Sequence, residues 1–345
     1  MKKSLIALAA LAAFGTASAQ STVALTGAYG FGHESVSSQA TNSTGAKTRT
    51  SGLRNMTGNV KFVATEDLGG GLKATASIQF GVTGRGFDLV STPTSGLNAN
   101  SVTTGTASRV LQEDASITIS GGFGSITAGA IEATNGIVGL GGAGAPVRGF
   151  HNSYNSAAGS LLAGAGNVDL LQYTSPTMSG FTARVQVIDG IGNPGQGGSD
   201  ATALTTKASA FGVRYAAGPL TADVDSTAFK VNAAATTNTK DRTRVSAQYD
   251  FGMVRVGLGQ ENRKTFAGVK TKESIMGVTV PMGAWTFGAT TAASRVDGSA
   301  KASGSEFGIK YDLSKRTSLN ALTGSFDKAT GAEQTITRIR MDHTF

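Results

Sequence analysis

The chain of 345 residues has no cysteine, six prolines, one tryptophan and three histidines. Without cysteine there is no disulfide, no thiolate nucleophile and no Cys-based metal site. His33, His151 and His343 stand far apart, so no pair has metal-ligand spacing and no compact Ser/His/Asp arrangement is present. Enzymatic activity, a bound metal and a cofactor are therefore not expected. Long apolar runs are missing too. Beyond the first twenty residues nothing approaches the ~18 consecutive apolar residues of a membrane helix, and no segment there shows a helical period.

Glycine is what the chain has in excess, 48 residues, about twice the ordinary share. The absence of a G-X-Y period excludes collagen, and the regular recurrence of apolar residues argues against disorder. The formal charge is +8, but the basic residues are scattered singly with no aromatic interleaving, so no nucleic-acid partner is expected. The opening "MKKSLIALAALAAFGTASAQ" has basic Lys2 and Lys3, an apolar run from Leu5 to Phe14 and the small triplet Ala17-Ser18-Ala19. It reads as a signal peptide cleaved after Ala19, which would leave residues 20–345 exported.

The rest alternates with period two. "GLKATASIQFGVTGR" sets Leu72, Ala74, Ala76, Ile78 and Phe80 against Lys73, Thr75, Ser77 and Gln79. "GFTARVQVIDG" sets Phe181, Ala183, Val185 and Val187 against Thr182, Arg184 and Gln186, and "TRVSAQYDF" sets Val245, Ala247 and Tyr249 against Arg244, Ser246 and Gln248. Alternation of this kind means strands with one apolar and one polar face. Short turns such as "EDLGGG" and "VPMG" alternate with long Gly/Ser/Thr/Asn loops such as 33–51 and 88–108. About sixteen strands of roughly ten residues follow, the first at 22–32, the second at 52–66 and the last at 334–345; that is the layout of an all-β, antiparallel outer-membrane barrel. Aromatics gather at strand ends, as interfacial girdles require.

In such a barrel the polar face lines water. The alternation therefore places Lys73, Arg184, Arg214, Arg255, Lys310, Arg338 and Arg340 in the lumen, because each would cost about 2–4 kcal/mol against lipid near the midplane. Luminal acids are fewer: Asp223, Asp225, Asp250 and Glu306. The excess of cations predicts a modest preference for anions that weakens as salt screens the wall. A solute-selective channel for a small anion or a sugar is the alternative.

Several stretches resemble the general Gram-negative porins of the β-proteobacterial type. They are "TEDLGGGLKA" (65–74), "GGFGSITAG" (121–129), "QYTSPTMSGFTARVQ" (172–186), "YDLSKRTSLNA" (311–321) and the terminal Phe345. The resemblance implies a sixteen-stranded barrel, usually a homotrimer in outer-membrane lipid. It also implies a third loop folded inward as a constriction, passive diffusion of small hydrophilic solutes, and recognition of Phe345 by the outer-membrane assembly machinery. The stretch 132–166 falls where that third loop belongs and carries Glu132, Arg148 and His151. The sequence departs from the family's pattern at Asn59, where a basic residue is usual, and in having only Glu132 and Arg148 as formal charges in the loop. A weakly charged constriction is therefore expected.

Overall fold

The computed structural model describes residues 21–39, 47–83, 109–132, 136–147, 167–191, 206–231, 239–327 and 333–345. The expected signal peptide, Arg148 and His151 lie outside the described residues. Sixteen strands follow one another in hairpin order: β1 (Thr22–Gln39), β2 (Lys47–Gly69), β3 (Leu72–Thr83), β4 (Arg109–Gly121), β5 (Gly124–Glu132), β6 (Asn167–Thr174), β7 (Phe181–Ile191) and β8 (Thr206–Ala217). Then come β9 (Leu220–Val231), β10 (Thr239–Asp250), β11 (Arg255–Thr265), β12 (Lys270–Met282), β13 (Trp285–Val296), β14 (Ala302–Asp312), β15 (Thr317–Asp327) and β16 (Glu333–Thr344). Each pairs antiparallel with its sequence neighbours, and β16 pairs with β1, so the sheet closes into a barrel. Closure removes the strand edge whose backbone groups hydrocarbon could not satisfy.

The seam is made by the chain ends. Tyr29 lies opposite His343 and Phe31 opposite Met341. Beyond the strand, Gly27 and Phe345 exchange two backbone hydrogen bonds of 3.0 Å each. The Phe345 ring lies over Gly27, where a methyl group would meet the ring edge at 2.8 Å. Glycine at this position makes the close approach possible.

The two faces separate as the alternation requires. Leu25 (53 % exposed), Val185 (48 %) and Ile339 (62 %) lie on the exposed apolar face, while Glu261 (1 %) and Arg338 (6 %) are buried on the other. Large apolar side chains left this exposed in a closed sheet are where lipid belongs. Aromatic rings cluster at the short-turn ends: Trp285 with Tyr311 and Tyr249 with Phe251 at 4.5 Å between centroids, Phe181 with Tyr215 at 4.8 Å. The two-residue turn from β2 to β3 runs through Gly69, Gly70 and Gly71, all with φ between 61° and 80°, a conformation that side chains disfavour.

Three features differ from the sequence-based expectation. First, β1 and β2 run on into the stretch expected to be the loop 33–51. Ser37 bonds Thr335, Arg49 Nε donates to Ser35 Oγ at 3.0 Å, and Ser51 Oγ lies 3.1 Å from His33 Nε2. Polar residues occupy both faces there, so hydrophobic alternation gives no signal for a strand that rises beyond the lipid.

Second, a short helix, α1 (Gly136–Gly141), lies in a stretch with no helical period. It packs against β10, β11 and β12. Third, the polar face is not polar throughout. Ile275, Ala292, Ala302, Leu322, Phe326 and Ile336 form a buried apolar cluster on that face of β12–β16, and Ile137 of α1 packs on it.

Candidate functional site: the polar face of the barrel wall

Alternation carries every sequence-nominated cation, Lys73, Arg184, Arg214, Arg255, Lys310, Arg338 and Arg340, onto the face opposite the exposed apolar rows. Most are held by a carboxylate. Arg184 of β7 makes a two-pronged contact with Asp223 of β9, Nη1 donating to Oδ2 at 2.8 Å and Nη2 to Oδ1 at 2.6 Å, with Asp225 at 3.7 Å. Fork-to-carboxylate pairing of this kind fixes both position and orientation. The guanidinium crosses over β8 at Gly212, where a methyl group would stand 2.7 Å from Arg184 Nε. Arg255 meets Asp250 at 3.3 Å, Lys310 meets Asp312 at 3.0 Å, and Arg340 meets Asp342 at 2.8 Å. Asn320 Nδ2 donates to the same Asp342 carboxylate at 2.6 Å.

Arg338 is tied across the seam. Its Nε donates to Glu34 Oε2 at 3.0 Å, and Arg54 Nη1 donates to Glu34 Oε1 at 2.6 Å. One buried carboxylate thereby joins β16, β1 and β2. A second network spans β10 to β13: Arg244 Nε donates to Glu261 Oε2, Arg263 Nη2 to Glu273 Oε1 at 2.8 Å, and Ser294 Oγ to Glu273 Oε1 at 3.1 Å. Charges removed from bulk water in this way persist because each has a partner.

Two of the nominated cations, Lys73 and Arg214, have no ion-pair partner among the described residues; Lys61 and Arg242 on the same face have none either. Arg242 rests instead over the Phe229 ring at 5.4 Å, with Nη2 3.4 Å from Thr227 Oγ1. Lys61 stands two residues from Asn59 and on the same face, so a cation is present near the position where the sequence had suggested its loss. The wall of β3 to β6 is largely uncharged, and its hydroxyls and amides bond one another. Thr118 meets Thr127 at 2.8 Å, and Gln186 Nε2 donates to Gln172 Oε1 at 2.7 Å.

Sequence reasoning passed over Glu34, Glu261, Glu273 and Arg263 as members of the wall. Glu34 lay in the supposed loop. The other three were accessible by parity, since each falls on alternate positions from Arg255 or Ser274's neighbour Ile275. Of the nominated loop residues, Glu132 ends β5. No group of three or more His, Asp or Glu with metal-holding geometry is found among the described residues.

The segment that includes α1 lies on a bare strip of the same face. Gly257 stands opposite Gly277 in the β11–β12 register, and Gly288 opposite Gly308 in β13–β14. A methyl group at Gly257 would fall 2.9 Å from the Ala143 nitrogen, at Gly277 2.7 Å from the Gly142 Cα, and at Gly308 2.7 Å from the Pro146 carbonyl carbon. Four neighbouring strands thus omit a side chain where the backbone of 140–146 rests.

A closed sixteen-stranded sheet with exposed apolar rows, aromatic girdles and a self-paired polar face defines an outer-membrane β-barrel channel. The chain matches the Gram-negative porin family model over residues 7–330. It is 28 % identical over 303 residues to outer membrane porin protein 32 of Delftia acidovorans, covering 82 % of this chain and 77 % of that protein. Its fold resembles the anion-selective porin from Comamonas acidovorans with a TM-score of 0.71 and 22 % identity, over 94 % of this chain and all of that one (100 %). It also resembles a mutant of the Rh. blastica porin with a TM-score of 0.60 and 15 % identity, over 94 % of this chain and 100 % of the other. The chain belongs to the Gram-negative porin family. It is a porin of the outer membrane.

Proposed function

We propose that the porin lets small hydrophilic solutes diffuse passively through its bore with a modest preference for anions. The observation that carries this reading is the charge balance of the polar face. Arg184, Arg255, Lys310, Arg338 and Arg340 are each spent on a carboxylate, whereas Lys61, Lys73, Arg214 and Arg242 have no ion-pair partner among the described residues. A few uncompensated cations on an otherwise neutral wall attract anions weakly, and salt screens them. The anion-selective neighbour is consistent with the direction of the preference.

In this reading, residues 132–166 fold into the bore as the constriction. The support is the contact of 137–146 with glycines on the polar face of β11–β14. Glu132, Arg148 and His151 then belong to the constriction segment. Residues 1–19 act as the export signal, Phe345 serves the assembly machinery, and the barrel works as a homotrimer.

The decisive measurement is the zero-current potential of single channels in a salt gradient. Its sign should report anion preference, and its size should shrink at high salt. Cation preference at low salt, or an anion preference indifferent to salt, would overturn the reading.

A further inference from the structure

On the polar face, β8 carries small side chains between two strands that carry large ones. Ala210 stands between Gln186 of β7 and Thr227 of β9, and Ala208 between Ile188 and Phe229. The two alanines floor a trough whose walls belong to β7 and β9, about 9.6 Å apart at ~4.8 Å per strand step. At the end nearer the short turns the Arg184 guanidinium crosses Gly212 and closes it.

The chemistry changes along the trough. In the upper row Leu170 lies opposite Ile188, Ile188 opposite Ala208 and Ala208 opposite Phe229. Leu170 and Phe229 pack against the buried Ile188 and Ala208, so this row is wholly apolar. Two residues down, Ala210 faces Thr227, and Thr227 faces Arg242 of β10. The row below that holds the closed ion pairs, with Asp225 opposite Arg244 and Arg244 opposite Glu261.

Arg242 therefore stands on the border between an apolar patch and a neutralised lattice of charges. Its neighbour across the β10–β11 register is another cation, Arg263. The nearby acids are engaged elsewhere: Asp225 lies 3.7 Å from Arg184, and Arg263 meets Glu261 at 3.3 Å and Glu273 at 2.8 Å. The Arg242 guanidinium leans over β9, 5.4 Å from the Phe229 ring centre, and its buried Nε has no acceptor among the described residues. A buried donor without an acceptor is costly, and a guanidinium laid on a ring still offers its edge to a carboxylate.

We propose that this trough is a subsite for organic monoanions with a flat apolar body, of which an aromatic carboxylate is the simplest. The proposal rests on the anion-preferring diffusion described above and names a solute class for it. The carboxylate accepts from the open edge of Arg242. The ring lies over Ala208 and Ala210, between Ile188 and Phe229. Burial of the ring and a charge-assisted hydrogen bond to the head act together on such a solute. A small anion gains only the second contact, and a neutral aromatic only the first. The site must release what it holds if the pore is to conduct, so its occupancy is brief.

The test uses single channels of the full refolded barrel in planar bilayers, with chloride current recorded at constant ionic strength and neutral pH. Benzoate, acetate and benzamide are titrated separately. Benzoate should reduce the current saturably, and the other two should need roughly tenfold more for the same reduction. Arg242→Gln should raise the benzoate half-saturation about tenfold, the loss expected from one charged hydrogen bond. Phe229→Leu, which keeps the wall filled, should raise it about threefold and leave the acetate response unchanged. An unsaturable benzoate response, equal block by acetate or benzamide, or an unchanged half-saturation in both variants overturns the proposal. The reversal potential in a salt gradient is read on the same channels. Anion preference without saturable block overturns the subsite and leaves the diffusion reading standing. A reversal potential altered by Arg242→Gln with benzoate block unaltered also overturns it, since Arg242 would then be a wall charge alone.

Discussion

Replacing Gly308 by alanine tests whether the 136–147 segment is held in place by the wall. The added carbon would lie 2.7 Å from the Pro146 carbonyl carbon, and nearer still to its oxygen. Carbon atoms at rest stand ~3.5–4.0 Å apart, so one partner must retreat by about 1 Å. β14 cannot, because its backbone is paired on both sides to β13 and β15. The segment must lift instead. Overpacking of this kind costs about 1–3 kcal/mol, which lowers the seated-to-displaced ratio by about 5- to 150-fold. The assay is single-channel recording at fixed voltage, with limited proteolysis of the folded barrel alongside. Gly308→Ala should raise open-channel current noise and make 136–147 cleavable, while the barrel still refolds. Gly52→Ala is the control, since nothing lies within 4 Å of the added carbon there. A Gly308→Ala channel as quiet and as protease-resistant as the parent would show that the glycine strip is not a seat.

Glu34→Gln should lower the thermal midpoint of the barrel, because Arg338 is left buried without its carboxylate; the loss expected from breaking such a pair is about 3–5 kcal/mol. Heat unfolding in detergent reads it, and an unchanged midpoint would mean that the seam does not depend on this pair. Gly27→Ala should slow or prevent closure of β1 on β16, since the methyl would meet the Asn59 carbonyl oxygen at 2.6 Å and the Phe345 ring at 2.8 Å. The yield of heat-modifiable folded barrel after refolding checks this. Lys61→Gln/Lys73→Gln should move the reversal potential toward zero, whereas Arg184→Gln/Asp223→Asn should leave it in place because that pair is already neutral. Equal shifts from the two double variants would refute the distinction between paired and unpaired wall charges.

Strand placement within the lipid was legible wherever apolar and polar residues alternate. The first strand begins at the expected Thr22, and the last runs over Glu333–Thr344, within one residue of expectation at each end. Legibility failed above the membrane. At His33–Ser35–Ser37 one face is polar and the other alternates Glu34 with Val36, so no steady hydrophobic contrast marks the strand, and cross-strand bonds such as His33 to Ser51 reveal it. It failed also for α1, whose residues Ile137 and Leu140 gain their burial and contacts from distant strands rather than from a local period.

The wall shows the same limit more sharply. Parity alone was enough to put Arg184, Arg338 and Arg340 on the polar face, because a period-two strand leaves a charged side chain no other side to occupy. Parity says nothing about which carboxylate each one meets. Glu34 and Arg338 are 304 positions apart in the chain, and only closure of β1 on β16 brings them together. The amino-acid order by itself therefore determined strand, face and channel class, all of which follow from local alternation against a layered solvent. Which charges remain unpaired, and where the 136–147 segment rests, were decided by the tertiary structure, because both depend on register between strands that are neighbours only once the barrel has closed.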